Sequence, residues 1–196
     1  MTDHPSGLPA ETFHPSLRAV VVAQLEFSWA ELDSRLATLT PDELLWEPVP
    51  GALSVVRRGT ERSPRTTGVG PWVHEWPAGY DDPQPRTVAW LVAHLTEVFF
   101  ERWEWTFGGH ERRPATSLEF SGDLDAALAG LREWVGRWRA DVAALPDDAF
   151  LTVGRSQATP IDQAAPFGHL VAHLNRELIH HGSEICVLTD LYRATR

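Results

Sequence analysis

Four side chains that bind cations recur at every fourth position near the C-terminus: His169, His173, Glu177 and His181. On a helix this spacing stacks them on one flank, about one turn apart. Neutral imidazole and carboxylate at i, i+4 can reach a single divalent ion. A solvated polar face can carry the same residue types, so angular position matters more than the count. At roughly 100° per residue, Leu170, Leu174, Leu178, Ile185 and Leu188 centre the apolar face. His181 falls inside that arc and Glu177 at its edge. His173 is intermediate, His169 peripheral, and His180 is swung away towards Arg176, facing solvent or a rim. A carboxylate near a bundle axis loses much of its hydration unless it is paired, and a divalent cation offsets that loss. A plainer arrangement has Glu177 pairing with an inward Arg102 and His181 donating to a backbone carbonyl.

A partner for this stripe lies upstream, where Trp90-Leu-Val-Ala-His94-Leu95 places His94 on the flank of a Leu91/Leu95/Val98 face. A lone histidine there is usually a satisfied core residue. Two helices that each present inward metal-capable groups change that reading, because bundle cores build such sites from facing helices. His94 with Glu177 and His181 makes a set of two nitrogens and one oxygen. That set leaves positions open for water or substrate, as catalytic rather than structural ions require.

The elements that must position these residues are helical. Leu17, Val21, Leu25, Ser28, Leu32, Leu36 and Leu39 predict a first helix over Pro15 to Leu39, followed by a helical turn over Pro41 to Trp46 capped by Thr40. A second helix is expected from Arg86 to Phe107, stopped by Gly108-Gly109. A third runs from Leu124 to Leu145, with Asp123 as N-cap and Pro146 beyond its end. The fourth and longest spans Pro166 to Tyr192. The fold class expected is therefore all-α: a four-helix bundle with a long connection between helices 1 and 2. That connection, residues 47 to 86, holds two β-like pieces, Leu53-Ser-Val-Val56 and Trp72-Val-His-Glu-Trp76, as candidates to pair. Long irregular stretches inside compact domains are usually functional, and a surface flap packed by its own tryptophans is the alternative.

Composition bounds the function. The 196 residues carry 17 basic and 27 acidic side chains, a formal charge of −10. All the basic side chains are arginine, and such an acidic chain makes a poor nucleic-acid binder. One domain over 1–196 is expected, with a flexible N-terminus at 1–12. No signal peptide or bilayer-spanning segment is evident, so a cytoplasmic protein with no membrane partner is expected. The one cysteine, Cys186, reads as a small core residue rather than a nucleophile. Nine tryptophans and nine histidines exceed ordinary usage, and exposed aromatic faces are consistent with a homodimer.

The segments Ala89-Trp-Leu-Val-Ala-His94-Leu and His173-Leu-Asn-Arg-Glu177-Leu-Ile-His-His181-Gly-Ser-Glu-Ile resemble the DinB-like superfamily, which includes mycothiol-dependent maleylpyruvate isomerases and related thiol-dependent transferases. The resemblance covers the order of the four helices, the long first connection and both motifs. It implies a divalent metal, commonly zinc or nickel, held by a histidine on the second helix and two ligands four residues apart on the last. Many members carry His-x-x-x-His there and the isomerase-like branch Glu-x-x-x-His; this chain has the second form, so the implied ligands are His94, Glu177 and His181. Some members place the last ligand two residues before a glycine, which here would be His180 before Gly182. The residue four before His180 is Arg176, which cannot bind a cation, and periodicity also favours His181. The expected function is a transferase or isomerase that uses a low-molecular-weight thiol such as mycothiol on a small electrophile. A metal-dependent hydrolase on the same scaffold, and a non-enzymatic stress-linked binding or dimerisation bundle, are the alternatives. Arg176 and His180 could steer an anionic substrate, with Trp72, Trp76 or Trp90 lining an apolar pocket.

Overall fold

Three of the four long helices begin at a side chain that caps them. A computed structural model describes residues 16–79 and 84–196. In it Ser16 accepts from Ala19 N at 3.2 Å and opens α1, Leu17–Leu36. Thr40 and Glu43 form a reciprocal capping box on the short α2, Pro41–Leu45. Thr87 accepts from Trp90 N and opens α3, Val88–Glu104. A short α4, Pro114–Ser117, precedes α5, Leu124–Ala143, where Asp123 accepts from Ala126 N as expected. A 3-10 turn at Asp147–Leu151 and a short α6, Pro160–Ala164, lead into α7, Phe167–Thr195. Each satisfied N-terminal N–H is one fewer orphan donor at a helix end.

The long helices follow the predicted spans closely at their centres and less so at their ends. The first stops at Leu36, although Leu39 is still buried in the following turn. The second begins two residues later than predicted, because Arg86 is held in a bridge to Leu53 and Thr87 serves as cap. The Pro15 start, the N-terminus at 1–12 and positions 80–83 of the long connection lie outside the described residues.

The all-α expectation needs correction. The chain is mostly helical, but the connection after α2 folds into a three-stranded antiparallel sheet: β1 (Val55–Arg57), β2 (Arg65–Thr67) and β3 (Trp72–Trp76), in the order β1-β3-β2. The two β-like pieces do pair, with Val55 opposite His74. The unforeseen β2 adds on the other edge, with Thr67 also opposite His74. Glu75, fully buried, pins the turns around the sheet by accepting from Ser54 N, Arg62 N and Ser63 N.

The sheet exists because α3 has more than one apolar face. Its residues from Val88 to Glu97 are all buried. A helix that is apolar on all sides must be covered on all sides. α5 and α7 pack on it, β1 and β3 add further cover, and α1 packs on α7 and α5 in turn. The shared core includes Leu25, Leu91, Leu95, Phe99, Leu131, Trp138 and Leu174, each essentially inaccessible to water. Among the described residues no helix is long and apolar enough to cross a membrane. Cys186 is half-buried rather than in the core.

Candidate metal centre

α3 and α7 bring the predicted residues together. His94 Nε2 lies 3.5 Å from Glu177 Oε2, and His181 Nε2 lies 3.3 Å from the same oxygen. The two imidazole rings meet edge-on, with centroids 4.6 Å apart. One potential ligand atom from each of His94, Glu177 and His181 lies within 4.8 Å of the others.

The angular gradient along α7 follows the helical wheel. His169 and His180 are exposed, His173 is half-buried and His181 is buried. His173 Nδ1 sits 3.7 Å from Glu177 Oε1, the carboxylate oxygen turned away from the other two histidines. The plainer pairing does not form: Arg102 approaches Glu101 and Asp162, while Glu177 takes Arg176 at 2.9 Å. Among the described residues His181 hydrogen-bonds to no backbone carbonyl either. Its Nδ1 is 3.2 Å from Glu184 Oε2.

A carboxylate only accepts, so His181 carries a proton on Nδ1 when it bonds Glu184, and Nε2 is the atom aimed at Glu177 and His94. Each of the three ligand atoms can offer a lone pair towards the others. Two imidazole nitrogens and one carboxylate oxygen suit zinc and similar divalent ions. The donor set therefore fits a cation. A second cluster, His180, His181 and Glu184, also brings three such atoms within 4.8 Å. It is the poorer fit, because His180 is exposed and Arg86 already lies 3.7 Å from Glu184.

The electrostatics follow the same convergence. Hydrogen bonds with His181 and His94 outweigh desolvation and hold the Glu177 carboxyl far below the usual range, with Arg176 adding to them. Burial alone would lower the His181 pKa, yet the Glu177 and Glu184 carboxylates raise it above its ordinary 6.5. His94 moves the other way: burial dominates, and its pKa falls below 6.5 despite Glu177.

A family model for the DinB superfamily matches residues 24–185. The chain belongs to the DinB superfamily. The matched span includes the segments that carry His94, Glu177 and His181 and the sheet between α2 and α3. No curated protein and no solved structure matches the chain. Membership of the DinB superfamily fits a metal-dependent enzyme, and the two clusters supply residues that could hold the ion.

In this DinB protein the three residues line a cavity of about 460 Å³, which Arg65, Trp76, Arg86, Trp90 and Arg176 also border. His94 stacks on Trp90 with ring centroids 4.9 Å apart and planes 15° apart, and Trp76 meets it edge-on at 5.4 Å. Trp76 and Trp90 thus wall this pocket as expected. Trp72 does not, since it lines a separate cavity with Phe120 on another side of α3. Sequence reasoning missed Glu184, Arg86 and Arg65. Glu184 sits three residues after His181, a spacing that could have found it. Arg86 and Arg65 carried no such signal, because they reach the pocket through the fold of the long connection. The buried pair His74 and Glu97, 2.8 Å apart, was likewise invisible before β3 was placed against α3.

Proposed function

We propose that this chain is a divalent-metal-dependent enzyme that uses a low-molecular-weight thiol to transfer or isomerise a small electrophile. The observation that carries the reading is the meeting of His94, Glu177 and His181 at one point on a concave, tryptophan-walled pocket. His94, Glu177 and His181 would hold the ion, zinc or nickel. Three protein ligands leave further positions open, which distinguishes catalytic from structural sites. When bound in such a site, a divalent metal supplies ionisation of a coordinated thiol or water.

The chain's own residues supply the rest. Trp76 and Trp90 present apolar faces that exclude water from the reacting groups. Arg65, Arg86 and Arg176 bring positive charge to a pocket in a protein of net charge −10, which favours an acidic substrate or a thiol cofactor bearing carboxylates. We read α1, α3, α5 and α7 as a four-helix bundle, with the sheet as a cover that completes one pocket wall through Arg65 and Trp76. A homodimer is proposed with it, since Phe27 is 68 % and Val187 64 % exposed on outward helix faces.

The test is turnover of a reactive small electrophile by protein loaded with zinc or nickel, with and without mycothiol or a simpler thiol. Consumption that requires both metal and thiol is the expected result. Consumption without thiol turns the assignment to a hydrolase, and failure of the wild-type protein to take up metal removes the enzymatic reading.

A further inference from the structure

We propose that Arg86 is a positioning residue that braces both histidines of the centre at once, through Glu184 on one side and Trp90 on the other. The consequence for cation affinity rests on the metal reading above; the bracing itself does not.

The brace starts from a fixed backbone. Leu53 N donates to Pro85 O at 2.8 Å, and Thr87 N donates to Leu53 O at 2.9 Å, so Arg86 is held between two bonds to the start of the sheet region. From there its guanidinium lies 4.5 Å over the Trp90 ring. Trp90 cannot slide, because its indole N–H donates to Glu75 O at 2.5 Å. His94 stacks on the same indole, its ring nearly parallel to that of Trp90. Among the described residues His94 Nδ1 is buried with no hydrogen-bond partner, so the ring contacts with Trp90 and Trp76 orient it from that side.

The second arm runs to α7. Arg86 Nη1 lies 3.7 Å from Glu184 Oε2, an ion pair rather than a hydrogen bond, and the same oxygen faces His181 Nδ1 at 3.2 Å. Glu184 Oε2 thus sits between the Arg86 guanidinium and the His181 ring. One guanidinium therefore touches the support of the ligand on α3 and the support of the ligand on α7. A planar cation is needed for both contacts, since lysine keeps the charge but not the stacking face. Partners behind metal-binding histidines set ring orientation, and losing one costs about 10–100-fold in metal affinity.

Zinc affinity by chelator competition tests the consequence, and histidine ring ¹H–¹⁵N spectra of the metal-stripped protein test the bracing directly. Arg86→Ala and Glu184→Ala should each weaken zinc binding by about 10–100-fold. Arg86→Lys should fall between wild type and Arg86→Ala, and Glu184→Gln, which keeps an acceptor, should recover much of the loss. The spectra should show a His181 Nδ1 proton in the wild type that Glu184→Ala loses and Glu184→Gln restores, and ring signals of both histidines that broaden in Arg86→Ala. Should Arg86→Ala fail to fold, Arg86→Lys carries the comparison. Wild-type zinc affinity retained in both alanine variants, or unaltered ring spectra in Arg86→Ala or Arg86→Lys, overturns the brace. A wild type that binds neither zinc nor nickel defeats the metal reading instead, and the ring spectra then decide the brace alone.

Discussion

Glu177 is the residue on which the centre turns, because one of its oxygens faces both histidines and the other faces Arg176. Replacing His94, Glu177 or His181 with alanine should each reduce bound zinc or nickel to near background in elemental analysis. His180→Ala should leave occupancy unchanged, since that ring is exposed. The pH dependence of metal affinity should have two stages. Protons compete first at His181, whose pKa is raised, so affinity begins to fall at a pH above 6.5. His94, with its lowered pKa, stays neutral until the pH has dropped below 6.5 and adds a steeper loss there. Glu177 remains ionised throughout. Isothermal titration with zinc at stepped pH reads both stages, and a single fall centred below 6 would contradict the raised pKa of His181.

Between elements, the start of α3 is the sensitive joint. Thr87 is fully buried, caps the helix through Trp90 N and shares a 2.9 Å hydrogen bond with Ser54 Oγ. Thr87→Val keeps the shape and removes both contacts, leaving Ser54 and one helix N–H unsatisfied. It should cost about 2–4 kcal/mol in urea unfolding, the sum of a lost cap (about 1) and an unpaired buried group (about 1–3). Because Arg86 and Trp90 flank this position, zinc affinity should fall with it. The α3 interior was legible in the sequence as an apolar helix with His94 on its flank. Its second buried face was not, because a Leu91/Leu95/Val98 stripe describes one side and Ala89, Val92, Ala93 and Thr96 gain meaning only when α5 and the sheet cover them.

For the whole molecule, an ion held between α3 and α7 would couple to the fold. Metal that binds the folded chain and not the unfolded one should add about 2.7 kcal/mol at a free concentration one hundred times its dissociation constant. For a chain of this size that is roughly a 5–10 °C rise in melting temperature, measured by calorimetry with and without zinc. Glu177→Ala should abolish the rise, and an equal rise in that variant would place the ion elsewhere.

Helical periodicity and cap chemistry sufficed to outline the four long helices, the Thr40 and Asp123 caps, and the order of burial from His169 through His173 and Glu177 to His181. These are local properties, written in spacings of three and four residues. The sequence also carried the pairing of Val55 with the Trp72–Trp76 segment as a β-like pattern. Only the tertiary structure decided that β2 joins that pair, that Glu184 rather than a carbonyl receives His181, and that Arg86 and Arg65 reach the same pocket. Those contacts link residues far apart in the chain, or depend on which rotamer a crowded neighbour permits. Neither kind of information is stored in a periodic pattern, because it arises when separate elements exclude water from one another.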